Sequence, residues 1–302
     1  MITQSACENK KSGALDMRLK IGITNTSFNV YGADGRYAAI KRCGYDSIDF
    51  QEFANVYTDF FKLPEEEFID EVKALRVKIE EYGLSVHQAH APWVGGEPRD
   101  RTPEERALWL DAMKKALRGV SALGASMMVV HPLCPYNDSD KNADEVIALN
   151  EQFIADVADF AAEYGITVCL ENLPFKQHPV SSVEAVCGIV DKLSRYNLKV
   201  CLDTGHAAIF NPDVAAAVRY IGDRLATLHI HDNMGDADSH LVPGDGIIDW
   251  ERFTKALKEV GYKGVISLET SPKHGNFPKE QWGERETLLT EKAMNMAEKA
   301  CG

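Results

Sequence analysis

The sequence predicts an α/β protein built as a single TIM-type (β/α)₈ barrel. Three observations predict it. Eight short, mostly β-branched or apolar runs alternate with longer segments of helical period. Proline or a capping residue opens several of those segments, and glycine closes others. Polar side chains able to bind metal recur where a strand run stops, as the catalytic rim of a barrel requires. A length of 302 residues often means two domains, but barrels of this kind reach it as one. A doubly wound open sheet is the structural competitor from the element pattern alone.

Taken in chain order, strands are expected at Leu19–Thr24, Ser47–Phe50, Ser85–Ala89, Ser126–Val130, Thr167–Leu170, Lys199–Leu202, Ala226–Ile230 and Val265–Leu268. Between them the apolar period lengthens. Pro64–Tyr82 carries Phe68, Val72, Leu75 and Ile79 on one stripe, and Asp144–Tyr164 carries Val146, Leu149, Phe153 and Val157. Helix starts are expected at Pro64, Thr102-Pro103, Ser182, Asn211-Pro212 and Asp249. Stops follow at Tyr82-Gly83, Leu123-Gly124, Tyr164-Gly165 and Val260-Gly261, where a left-handed cap favours a residue without Cβ. Gly44-Tyr45-Asp46-Ser47-Ile48 and Gly261-Tyr262-Lys263-Gly264-Val265 echo one another before two strands. Residues 1–17 are polar, lack the apolar stretch of a signal peptide and are expected to form a flexible extension; Met17 is an alternative start. Residues 18–302 then form one barrel domain.

Composition narrows the function. Hydrophobic residues make up 45%, enough for a sizeable core. With 46 acidic against 33 basic residues the formal net charge is −13, which repels polyanions, so no nucleic-acid partner is expected. No run approaches the ~20 apolar residues of a membrane span. The seven cysteines form no C-x-x-C pair, and Cys169 and Cys201 lie within apolar runs, which reads as reduced core thiols of a cytoplasmic protein. Cys134 falls in a loop near the rim described next.

His90 follows the third run, His131 the fourth, Glu171 the fifth and Asp203 the sixth; His229 and His231 belong to the seventh, and Glu269 follows the eighth. In a barrel those ends converge on one face. Any one of them alone reads as a polar strand terminus, but six strands of eight ending this way do not read as chance. Carboxylate and imidazole together suit Zn²⁺ or Mn²⁺, with Mg²⁺ or Co²⁺ also accommodated. His229 and His231, two apart in a strand, face the same side, and one ligand beside one substrate-binding histidine fits them better than two ligands to one ion. His206, three residues past Asp203 across a glycine turn, can approach the same place. Asp238 and His240 offer a further pair, or else form an exposed polar loop.

At these residues the chain resembles the xylose isomerase-like barrel superfamily, which holds sugar phosphate isomerases and epimerases, inosose dehydratases, hydroxypyruvate isomerases and AP endonuclease IV. The resemblance runs from about Leu19 to Thr270. It rests on Leu170-Glu171-Asn172, Leu202-Asp203-Thr204-Gly205-His206, His229-Ile230-His231-Asp232, His240 through Gly246, and Leu268-Glu269-Thr270. It implies one divalent ion held by Glu171, Asp203, His229 and Glu269, with His206 contacting substrate. His229 is preferred to His231 because the His-x-x-Asp register matches the superfamily's seventh strand. Glu171 and Glu269 would then exchange protons with a sugar or polyol carbon through an enediolate, in an isomerase, epimerase or dehydratase. Trp93 would either form an apolar wall under the substrate or serve as a structural aromatic, and His206 and His231 would bond its hydroxyls. The endonuclease IV branch holds three zinc ions and acts as a phosphodiesterase; its longer ligand set has counterparts at His90, His131, Glu171, Asp203, His206, His229, Asp238, His240 and Glu269. A barrel that binds sugar without turnover is the non-enzymatic alternative.

The chain departs from both branches. Ketose epimerases follow the fifth-strand glutamate with an Asn-Arg-containing segment, where this chain has Leu173-Pro174-Phe175-Lys176-Gln177, and they carry arginine where His240 stands. Endonuclease IV has a polar, glycine-rich continuation and DNA-penetrating loops; here Pro174-Phe175 and Ala91-Pro92-Trp93-Val94 stand instead. Substrate identity, phosphorylation of the substrate and homo-oligomerisation stay open at this level, because variable loops decide them.

Overall fold

The computed structural model describes residues 18–93, 102–133, 142–273 and 276–301. The extension expected over residues 1–17, and Val94 and Cys134, lie outside the described residues. Eight strands run in chain order: β1 (Ile21–Thr24), β2 (Ser47–Phe50), β3 (Ser85–His90), β4 (Met127–Val130), β5 (Thr167–Glu171), β6 (Leu198–Asp203), β7 (Leu225–His229) and β8 (Ile266–Leu268). Every paired neighbour is parallel, in the order β7-β6-β5-β4-β3-β2-β1-β8. The remaining gap, between β7 and β8, is bridged just past the end of β7. Ile230 pairs with Leu268; the Ile230 N–H donates to the Ser267 carbonyl at 2.9 Å and the Glu269 N–H to the Ile230 carbonyl at 2.9 Å. The sheet therefore closes on itself, and the open doubly wound alternative is excluded.

Two periodicities sort the side chains. Within β2, Ile48 and Phe50 join the fully buried apolar layer shared with the surrounding helices, whereas Asp49 reaches His229 of β7 across the barrel. Val129, Cys169 and Cys201 form a separate small buried cluster, apart from that layer. The thiols expected in the core, Cys169 and Cys201, are buried and free of any disulfide, and Cys187 is too.

Helix boundaries follow local chemistry. Pro64 stands at the N-cap position of Glu65–Glu81 without a side-chain hydrogen bond, and Thr102 opens Pro103–Leu123 through a reciprocal capping box with Glu105. Asn142 and Glu145 do the same for Ala143–Ala162, while Ser182 caps Val183–Leu193 and Asp249 caps Trp250–Glu259. The start expected at Asn211-Pro212 is corrected. Asn211 ends the short helix Thr204–Phe210, and Asp213 caps Val214–Ile221 by accepting from the Ala216 N–H. β3, β5 and β6 each run one residue past the expected end, because His90, Glu171 and Asp203 still pair in register with Val129, Cys201 and His229. The sequence echo is a real structural repeat: Gly44 and Gly261 both take positive φ (96° and 71°), and the tyrosine after each is buried. Among the described residues no helix is long and apolar enough to cross a membrane.

Candidate metal centre and active site

Parallel strands deliver their ends to one rim, and from β3 to β8 the residue that ends or directly follows each strand is polar. His90, Glu171, Asp203 and His229 are the final residues of β3, β5, β6 and β7; His131 and Glu269 follow β4 and β8 directly. Glu171 is the hub. Its Oε2 lies 2.9 Å from His131 Nε2 and 3.7 Å from His90 Nε2, and the two imidazoles approach each other at 3.2 Å. Its Oε1 lies 2.9 Å from His229 Nδ1, which is also 3.1 Å from Glu269 Oε2. One donor atom from each of Glu171, Asp203, His229 and Glu269 falls within 4.8 Å of the other three.

A second cluster adjoins the first. Asp203 caps the helix that begins at Thr204, accepting from the His206 N–H at 2.6 Å, and its carboxylate meets His231 Nε2 at 3.0 Å. Asp238 reaches His206 Nε2 at 3.2 Å and His240 Nε2 at 3.3 Å, so it belongs to the rim rather than to a detached polar loop. The His231 and His240 rings stack with centroids 4.0 Å apart. His229 and His231 never fall in one group: His229 lies with Glu171, Asp203 and Glu269, whereas His231 lies with Asp203 and His206 on one side and with His240 and Glu269 on the other. Trp93 stands half-exposed at the rim, its ring centroid 5.8 Å from that of His131.

Asn172, Thr204, Gly205 and Asp232 stand inside the sequence motifs, but a motif does not tell what each of them bonds. The Asn172 side chain bridges the ends of β5 and β6, donating to the Asp203 carbonyl (3.1 Å) and accepting from the Asp203 N–H (2.9 Å). Its backbone carbonyl lies 2.8 Å from His206 Nδ1. Thr204 Oγ donates to the His231 carbonyl and accepts from the His231 N–H. Gly205 has no room for a Cβ, which would lie 2.0 Å from His231 Cε1. Asp232 belongs to none of the ligand groups found among the described residues. It accepts from the Asn233, Gly244 and Ile248 N–H groups and from Trp250 Nε1, pinning the loop that carries Asp238 and His240. β2 contributes Asp49, and Gln51 just beyond it, with Gln51 Nε2 3.5 Å from Glu269 Oε1. A carboxylate inside a strand as apolar as Ser47–Phe50 was the available clue.

Electrostatics test whether these residues suit a cation. Among the described residues the ion-pair partners of Asp49, Glu171, Asp203, Asp238 and Glu269 are all imidazoles, never Lys or Arg. Burial works to raise the Glu171 carboxyl, but His229 and His131 hold it well below the usual range. Burial likewise opposes ionisation of Asp203, and His206 and His231 prevail. Glu269 goes the other way, pushed up by burial and by the charge of Glu171. Burial disfavours the His206 imidazolium, yet Asp203 and the Asp238 hydrogen bond lift it to about 10; for His240, Asp238 and Glu269 likewise outweigh burial and lift it to about 9. Without metal, Glu269 is disfavoured as a carboxylate, while Glu171, Asp203 and Asp238 are favoured as carboxylates by neighbouring imidazoles, of which His206 and His240 hold their protons. A divalent cation can take over that role, since its ligands must be unprotonated imidazole and carboxylate. The donor set is oxygen and nitrogen, correctly clustered, and it fits such an ion.

Comparison with known proteins gives a consistent picture. The family model described as xylose isomerase-like TIM barrel matches residues 37–293. An uncharacterised protein of Methanocaldococcus jannaschii is 32% identical over 183 residues, covering 60% of this chain and 62% of its own. A D-psicose 3-epimerase of Enterocloster bolteae is 26% identical over 201 residues, covering 65% and 64%. The chain thus spans a little under two thirds of the length of these curated relatives. Among solved structures, a D-tagatose 3-epimerase-like protein superimposes with TM-score 0.70 at 25% identity, over 91% of this chain and 99% of that one. The IOLI protein with a binding zinc atom gives TM-score 0.72 at 20% identity over 92% and 99%, a likeness of fold.

Proposed function

Because the chain belongs to the xylose isomerase-like TIM barrel family, we propose that it is a divalent-metal-dependent isomerase or epimerase of a sugar or polyol, with dehydration as the variant outcome. The observation that carries this is the group Glu171, Asp203, His229 and Glu269, two of whose carboxylates flank one imidazole nitrogen at 2.9 and 3.1 Å. The likeness to a D-psicose 3-epimerase and to a D-tagatose 3-epimerase-like protein supports a substrate of the sugar class. Those four residues would hold the ion, Mn²⁺ or Zn²⁺ first and Mg²⁺ or Co²⁺ next. When bound, it supplies Lewis-acid polarisation of a substrate carbonyl and stabilises charge on the enediolate.

The chain's own groups do the rest. Glu171, kept ionised by its imidazoles, is the ready base for the carbon-bound proton. Glu269, whose carboxyl is pushed up and whose side chain is 18% exposed toward the mouth, returns a proton from another direction. Two carboxylates working from different directions suit inversion at carbon, whereas one working alone suits carbonyl migration or dehydration. His206 and His231 bond substrate hydroxyls, and Trp93 walls the entrance. The buried free thiols fit a reducing cytoplasm.

The direct test is loss of deuterium to solvent from the carbon beside the carbonyl of labelled ketoses and inososes, with Mn²⁺ or Zn²⁺ added. Release from at least one substrate is expected. If none exchanges with metal present, the reading fails.

A second reading has its own support, in the adjoining groups His90, His131, Glu171 and Asp203, His206, His231, together with Asp238 and His240. These would suit a three-zinc phosphodiesterase of endonuclease IV type. Metal content separates the two: about three zinc per chain with cleavage of an abasic duplex favours the second, about one ion with carbon–hydrogen exchange favours the first.

A further inference from the structure

Asp49 lies opposite the proposed ligands, fully buried in β2, with its Oδ2 2.9 Å from His229 Nε2. The other nitrogen of that ring, Nδ1, is the one 2.9 Å from Glu171 and 3.1 Å from Glu269. We infer that Asp49 is a positioning residue for His229: it takes the Nε2–H and thereby leaves Nδ1 as the unprotonated nitrogen offered to a cation. This rests on the metal-dependent reading above. A neutral imidazole carries one N–H, and the partner of one nitrogen decides which lone pair the other presents.

The carboxylate is itself held. Gln88 Nε2 and Gln51 Nε2 donate to the same Oδ2 at 3.0 and 3.2 Å. Gln88 accepts from the Thr227 hydroxyl through its Oε1, which fixes the orientation of its amide. Thr227 lies two residues before His229 on β7, so β2, β3 and β7 close one hydrogen-bonded loop around the ring. A fully buried carboxylate is costly unless satisfied, and among the described residues its ion-pair partner is His229. If Asp49 merely satisfied the two glutamines, its removal would cost stability and leave metal affinity alone.

The test uses metal-free wild type, Asp49→Asn, His229→Gln and the double variant, each titrated with Zn²⁺ against a chromophoric chelator, with thermal unfolding recorded in parallel. Asp49→Asn is expected to weaken Zn²⁺ about ten- to a hundredfold and to add little in the His229→Gln background. Independently of any variant, ¹⁵N ring spectra of zinc-loaded wild type should show His229 protonated at Nε2 and metallated at Nδ1. Equal losses in both backgrounds, an affinity within about twofold of wild type, or metal on Nε2 overturn the inference. Wild type that binds no divalent ion overturns the metal reading itself, which is a different result.

Discussion

Glu171 pairs with four imidazoles while almost wholly excluded from solvent, and its behaviour depends on what those rings carry. Replacing it with glutamine keeps the shape and removes the base. Exchange at substrate carbon should fall by about 10²–10⁴ in Glu171→Gln, with a comparable loss in Glu269→Gln, read as kcat on any ketose that turns over. The same residues set a pH dependence. His206 and His240 rise from 6.5 to about 10 and about 9, so the stability their charged forms lend the metal-free fold is fully present below pH 6.5. It is lost as pH climbs through those values. The lowered carboxyls of Glu171 and Asp203 act in the opposite sense, their contribution disappearing as pH falls through their native range. The urea midpoint of metal-free protein should therefore drop across the alkaline range, while apparent Zn²⁺ affinity, in competition with these protons, should rise from neutral pH upward. At this scale the sequence shows the residues that end or directly follow β3 to β8, because most of them stand out as polar after an apolar run. Asp49 and Gln88 do not stand out, since a polar residue inside a strand declares neither its direction nor its partner.

The turns after β6 and β7 lock together, and small residues make that lock possible. Thr204 and Gly205 sit against His231, and Asn233 Nδ2 donates to the Gly205 carbonyl at 2.7 Å. Gly205→Ala should force the His231 ring aside, costing about 1–3 kcal/mol in urea unfolding. Gly188→Ala is the internal control: it lies in the helix Val183–Leu193 with nothing within 4 Å of the added carbon. It should stabilise by about 0.5–1 kcal/mol. Helix existence and most helix starts were legible in the sequence because caps and apolar stripes are local. Asn211-Pro212 misled for a local reason too. Proline cannot donate and suits a first turn, but the carboxylate one residue later captured the free N–H.

For the whole molecule, the acidic rim predicts stabilisation by bound cation. Saturating Mn²⁺ or Zn²⁺ at about a hundred times its Kd should add about 2.7 kcal/mol, and removal by chelator should lower Tm by about 4 °C. Scanning calorimetry with and without chelator checks it, and an unchanged Tm at saturation would argue that the cluster is satisfied by protons alone. Alternation of period 2 with period 3.6, glycine stops, and acids and histidines at strand ends belong to the chain as written. They determined a parallel α/β fold whose rim would be rich in metal-binding groups. Closure between β7 and β8, the sorting of His229 and His231 into separate groups, and the approach of Asp49 across the interior were decided only by tertiary structure. These depend on distances between residues some forty to a hundred and eighty positions apart, and a local pattern carries direction along the chain but no measure of what lies opposite.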